Sequence, residues 1–371
     1  MKPGIINKNT DANMQAESHT AMLNELFIVI LFLALMLIFR WAFQTLPDER
    51  WQIIGCFPYR RISDGHWQAW NLTWYGFFNA VAVLFAVCIF LILMGSLSTP
   101  LIAGLFLLTL FLVTCLPAAK IIAFLIEKKH NTFTVGGAAF IGIMAAPWLV
   151  SLINLTVGKW LSFNTAPINV LAAMSIAYAL GEGIGRLACI SFGCCYGKPL
   201  ADCSPLINKI FQRHNFIFSG KTKKIAYAHE LEGQQVIPIQ ALTAIIYSLA
   251  GLIGCYLFLK GFTTTAFILT LMVTQLWRVF SEFLRADYRG EGEISSYQIM
   301  AAIACLYGLF IAYIFNDALA RTPDLALGLT TIWNPALLIF LLDLWIAMFF
   351  YMGKSRVTNS LIEINVLKEK I

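Results

Sequence analysis

Residues Gly181–Gly197 read GEGIGRLACISFGCCYG. Three glycines precede an arginine, Arg186, and thiols follow at Cys189, Cys194 and Cys195. In a soluble protein, GEGIGR would be a fragment of a dinucleotide-binding pattern. That pattern needs a βαβ unit around it, and the flanking sequence is instead a continuous apolar run. The stretch therefore reads as the end of a membrane helix that holds a permanent cation below the lipid surface.

The rest of the chain agrees. Of its 371 residues, 59% are hydrophobic and 12% charged, and its mean hydropathy is +0.74. A soluble domain carries about 25% charged residues. Apolar runs near 26–43, 75–94, 101–126, 133–156, 168–192, 236–259, 262–285, 297–316 and 333–352 approach the ~20 residues that cross a bilayer as a helix. They lack the apolar–polar alternation of a transmembrane β-barrel. The fold class expected is an all-α polytopic membrane protein. No signal-peptide cleavage pattern follows the first run, so it reads as a retained anchor.

Between the runs, residues 1–22 form a polar tail expected to lack structure, 23–45 a first membrane helix and 46–73 a polar, Trp-rich loop. Residues 193–236 form the other sizeable insertion, too short for a domain of its own and suited to a small cap over the bundle. The C-terminal helix falls within 317–353 and a polar tail within 354–371.

Nine cysteines are spread along the chain. Five lie in apolar runs, where a thiol behaves as a small hydrophobe, so this is no disulfide framework. Cys189, Cys194, Cys195 and Cys203 cluster loosely, but their spacing matches no standard zinc pattern. Neither a metal nor a cofactor is expected, and the bland reading of the thiols is small residues in a tight bend. A thiolate beside an arginine would nonetheless have a lowered pKa.

Five basic residues fall within or at the ends of spans: Arg40, Lys120, Arg186, Arg278 and Arg285. A charge at mid-bilayer costs at least ~2.5–3.5 kcal/mol, so such residues face a cavity or a partner unless they snorkel to the interface. Arg40 and Lys120 read as snorkelers. In QLWRVFSEFLRADYRG (Gln275–Gly290), Arg278, Glu282 and Arg285 recur at i, i+4 and i+7 and share a helical face, with Arg289 next along it. They form either a structural ion cluster or a clamp for an anion, for which the planar guanidinium suits phosphate. Two arginine-bearing helices suggest one polar chamber, and in a membrane the commonest anion to fill it is a phospholipid phosphate.

Taken together, these residues resemble the prolipoprotein diacylglyceryl transferase family. IGRLACISFGCCYG resembles the family's glycine–arginine signature, of the form G-R-x-G-N-F-x-N. LTWYGFF resembles its W-Y-G, TVGGAAFIG its H-G-G-x-x-G, and VIPIQALTA its H-P-x-Q-L-Y-E. WRVFSEFLRADYRGEGEISSYQIMA resembles its R-x-x-x-E-x-x-R with a downstream Ser-x-x-Gln. The five segments keep the family order over about residues 70–315. The resemblance implies a seven-helix core within 74–316, capped by 193–236, with one extra helix at each end. It implies transfer of a diacylglyceryl group from phosphatidylglycerol to the thiol of a lipoprotein cysteine in a bacterial inner membrane. Carried over by motif, Arg186, Arg278 and Glu282 would be catalytic. Tyr75, Gly136, Gly137, Gly185, Cys189, Gln240 and Arg285 would line the substrate site. The partners implied are phosphatidylglycerol or another anionic phospholipid, a preprolipoprotein and the membrane, and no nucleic acid.

The chain also departs from the pattern. Val135 stands where the motif has histidine, and a valine takes no proton from a thiol. Cys189 and Cys194 replace an asparagine and a glutamate, Ile237, Leu242 and Thr243 replace histidine, tyrosine and glutamate, and Thr274 replaces a tyrosine. His130 lies five residues from Val135 and reads as a loop histidine. A second function class follows, a catalytically altered or inactive paralogue that binds or presents anionic phospholipid. A transporter is disfavoured because no paired inverted repeat is evident. We count 16 Lys and Arg on the side of the insertion against 5 on the other. The positive-inside rule would put the cap in the cytoplasm, whereas the resemblance puts it outside.

Overall fold

A computed structural model describes residues 5–127, 135–287, 294–315 and 322–371. The chain is an all-α polytopic membrane protein: nine of its described helices are long and apolar enough to cross a membrane. They are α1 (Ile5–Thr45), α2 (Trp74–Ser96), α3 (Leu101–Glu127), α4 (Val135–Ile153), α5 (Pro167–Phe192), α6 (Ile239–Leu259), α7 (Thr263–Phe283), α8 (Ser296–Ile314) and α9 (Pro335–Gly353).

Local sequence sets their ends. Thr73 caps α2 by accepting from the Gly76 N–H at 3.4 Å. Pro167 opens α5 at a position where a missing N–H costs nothing. Ser295 and Gln298 form a reciprocal capping box on α8. The polar N-terminal stretch differs from expectation, because α1 is helical from Ile5 onward.

Helix α5 is the axis of the bundle and packs against α2, α4, α6 and α7. Its most apolar window is 72% buried, against 17% for α1 and for α9, which lie at the periphery on α6 and α2. Lipid is as apolar as leucine, so packing and interhelical hydrogen bonds hold such a bundle, at roughly 0.6 kcal/mol per bond. Ser175 meets Thr270 at 2.6 Å, Trp277 donates to Thr243 at 2.9 Å, and the Tyr247 hydroxyl donates to the Thr274 carbonyl at 2.8 Å. Thr243 and Thr274, two of the departures from the family pattern, thus serve as helix–helix contacts.

The loop at 46–73 and the tail after 353 are not irregular, as their polarity suggested. Strands β1 (Ile53–Ser63) and β2 (His66–Thr73) form a hairpin, and β5 (Lys354–Glu363) adds antiparallel to β2, giving the order β1-β2-β5. The Lys354 ammonium sits 4.4 Å from the Trp70 ring centre. Lys120 lies over the Tyr351 ring, and Arg40 lines an apolar groove of about 310 Å³ between α1 and α6.

The insertion holds two short helices, Pro205–Phe211 and Lys224–His229, and a two-stranded pair, β3 (Phe216–Ile217) and β4 (Gln235–Val236). Strand β2 runs directly into α2, β5 leaves α9, and the insertion joins α5 to α6. The N-termini of α2, α4, α6 and α8 and the C-termini of α5, α7 and α9 therefore share one end of the bundle.

Candidate functional site

At that end, α5 carries Tyr178, Glu182 and Arg186 at i, i+4 and i+8, a single strip of the helix. Glu182 forms an ion pair with Arg186, both side chains nearly buried. Arg278, on the neighbouring α7, donates from Nη2 to the Tyr178 hydroxyl at 2.6 Å. The two guanidinium groups thus converge on the same strip of α5 and lie within each other's electrostatic field. Arg186 sits six residues before the end of α5, about 9 Å below it along the axis.

The polar accounting at these arginines is incomplete. The Nε–H of Arg186 and that of Arg278 are buried with no hydrogen-bond partner among the described residues. An unmet donor on a buried cation is costly, and an anion held between the arginines would meet both. Arg278 also lies against the start of α4, where backbone N–H groups lack intrahelical partners. A Cβ on Gly136 would collide with its Nη1 and come within 3.1 Å of the Tyr297 ring. Gly137, beside it, is buried.

The α7 expectation changes in detail. Arg278 bonds Tyr178, and Arg285 turns to Asp287, making two 2.8 Å contacts from Nε and Nη2. Glu282 is half-buried within the field of Arg285. The carboxylate bonded to Arg186 is Glu182, which the sequence reading passed over although it lies one helical turn away. Of the glycines before Arg186, a Cβ on Gly181 would come within 2.8 Å of Ala86, and one on Gly183 would collide with the Ser248 Oγ. At Gly185 it would meet nothing nearer than 3.8 Å, so close packing does not require that glycine.

After α5 the chain reverses at Gly193, whose φ of +68° suits a residue without a side chain. The Cys194 N–H returns to the Cys189 carbonyl at 3.0 Å. The Gln240 amide, from α6, donates to the Cys194 carbonyl at 2.9 Å. Beyond it, Lys198 donates to the Leu284 carbonyl and Ala286 to that of Tyr196, which ties this turn to the end of α7. The reversal gathers three of the four cysteines that cluster in the sequence: the sulfurs of Cys189, Cys194 and Cys195 all lie within 4.8 Å of one another. Cys203, the fourth of the run, places its sulfur on the Pro199 carbonyl. Tyr75, at the start of α2, packs on Phe192 at 5.4 Å between ring centres and lies in the field of all three thiols.

The cap is pinned by Lys223. Its fully buried ammonium donates to the Ser191 carbonyl at 2.6 Å and to that of Leu46 at 3.2 Å. Burial lowers its pKa to about 8. The Tyr196 hydroxyl contacts Nδ1 of His229, and burial raises that phenol above its usual range. Val135 begins α4, and nothing is described of its side chain. His130 and Arg289 lie outside the described residues.

A family model described as prolipoprotein diacylglyceryl transferase matches residues 66–314, more than half of the chain. The match runs from β2 through α8 and so takes in Tyr75, Gly136, Arg186, Gln240, Arg278 and Arg285. Among curated proteins, none matches the chain.

Proposed function

The chain belongs to the prolipoprotein diacylglyceryl transferase family, and we propose that it moves a diacylglyceryl group from phosphatidylglycerol to the thiol of a lipoprotein cysteine in a bacterial inner membrane. The observation that carries this reading is the convergence of Arg186 and Arg278, each with a buried and unmet Nε–H, on one strip of α5. In this reading both guanidinium groups hold the headgroup phosphate. The acceptor thiol gives up its proton, which leaves with the phosphate, and its sulfur forms a bond to the glyceryl carbon. The bond from that carbon to the phosphate oxygen breaks, and the electron pair leaves with glycerol phosphate. Charge grows on the leaving phosphate, where fixed cations in a dry site act most strongly. Tyr178 and Glu182 hold the arginines in place. Tyr75, Gly137, Cys189 and Gln240 border the chamber, Gly136 makes room for Arg278, and Glu282 and Arg285 stand at its α7 edge.

A second reading is favoured by one residue. Val135 opens α4 where the family motif has histidine, and a valine accepts no proton. A paralogue that binds or presents anionic phospholipid without transferring it would keep the arginines and tolerate the valine. Expression in bacteria depleted of their own transferase separates the two. Growth and thioether-lipidated lipoprotein are expected for the transferase, and stable membrane expression without either would overturn it.

A further inference from the structure

Cys189, Cys194 and Cys195 lie together where α5 ends and the chain turns back, in the electrostatic reach of Arg186. All three stand within 4.8 Å of one another. Thiolates bound to zinc sit at about 2.3 Å from the ion, and tetrahedral geometry then separates two sulfurs by about 3.8 Å. Movements of about 1 Å bring the three to that spacing.

The backbone is arranged to hold them. Cys189 lies on the last turns of α5. Gly193 reverses the chain, and Cys195 adopts a left-handed φ of +56°, uncommon for a residue with a side chain. Gln240 from α6 fixes the Cys194 carbonyl, and a further bond ties the Gly193 carbonyl to Ile225 of the cap at 2.9 Å. The charge is also compensated. Three thiolates and a divalent ion carry a net charge of minus one. Arg186 stands in the field of Cys189 and Cys195, and Arg285 in that of Cys195.

We propose that Cys189, Cys194 and Cys195 form a three-sulfur site for a soft divalent cation of the zinc class, with a fourth position left for an exchangeable ligand. Soft thiolates select such ions over magnesium or calcium. Three protein ligands leave a position for an exchangeable group, the pattern of reactive rather than purely structural zinc sites. Three sulfurs are one more than a disulfide needs and one fewer than a closed four-thiol site. The assignment stands whether or not the chain transfers lipid.

The test uses the full chain, purified in detergent, reduced and stripped with a chelator, then equilibrated with zinc alone. One ion per chain is expected, with X-ray absorption giving a first shell of three sulfurs and one lighter atom. Zinc should slow alkylation of Cys189, Cys194 and Cys195 at least tenfold, as followed by mass spectrometry, and leave the exposed Cys56 unchanged. That arm needs no variant and so does not depend on a variant folding. Cys194→Ser should weaken binding at least tenfold, whereas Cys203→Ser should not. Equal alkylation with and without zinc, or binding that survives replacement of all three cysteines in a chain with unchanged thermal unfolding, would overturn the site.

Discussion

Arg278 donates to the hydroxyl of Tyr178 at 2.6 Å, joining α7 to α5 across a hundred residues of sequence. The bond fixes where the Arg278 guanidinium points. A hydrogen bond to a charged group is worth about 1.5–3 kcal/mol. Tyr178→Phe should therefore lower kcat/KM for lipid roughly tenfold or more while the fold survives. Steady-state kinetics on the purified variant check this, and an unchanged value would mean that Arg278 is held by something else.

Replacing Arg186 or Arg278 by Gln should reduce the phosphatidylglycerol that co-purifies with the protein. Phospholipid quantified by mass spectrometry after detergent extraction gives the answer. Retention equal to wild type in both variants would remove the phosphate clamp.

Glu182→Gln leaves the Arg186 cation nearly buried without its carboxylate. Breaking a buried pair from one side costs about 3–5 kcal/mol, so a marked fall in thermal stability is expected in detergent, with Glu182→Asp an intermediate case. An unshifted unfolding midpoint would show that another group compensates the charge.

Two glycines provide a paired test. A methyl on Gly136 collides with Arg278, while one on Gly185 meets only ordinary contacts at 3.8 and 3.9 Å. Gly136→Ala should lose lipid retention, and Gly185→Ala should keep it. The reverse outcome would contradict the described approach of α4 to α7.

Lys223 sets a pH dependence. Burial holds its pKa at about 8 in the folded cap, against 10.5 for the unperturbed group. Between those values the unfolded state binds more protons, so stability rises with pH across the window from about 8 to 10.5 and is lowest below it. Wild type should gain stability relative to Lys223→Met between pH 7 and pH 9.5, measured as the shift in unfolding temperature. A constant difference between the two proteins would show that the ammonium is not desolvated.

The spans were legible because twenty apolar residues admit few alternatives, and the two arginines were legible because lipid makes a cation conspicuous. The sheet was not. The residues of β1 and β5 mix polar and apolar types without a clean period, and their common partner β2 is separated from β5 by eight of the nine described membrane helices, so periodicity had nothing local to act on. Glu182 was within reach of helical spacing, four residues before Arg186, but the neighbouring glycines drew the reading instead. Tyr178 could not be found that way, since its role exists only once α5 and α7 pack. The thiols were visible in the sequence as a loose cluster that matches no standard metal spacing; what spacing could not show is that the turn at Gly193 brings Cys189 beside Cys194 and Cys195 while Cys203 stays apart.

The order β1-β2-β5 has a consequence for biogenesis. Strand β2 is the direct lead-in to α2, yet its second neighbour, Lys354–Glu363, leaves the ribosome only after all nine described membrane helices. During synthesis that edge of β2 waits unpaired until α9 has inserted. Closure of the sheet is therefore a late assembly checkpoint, one that a chain halted before β5 would never pass.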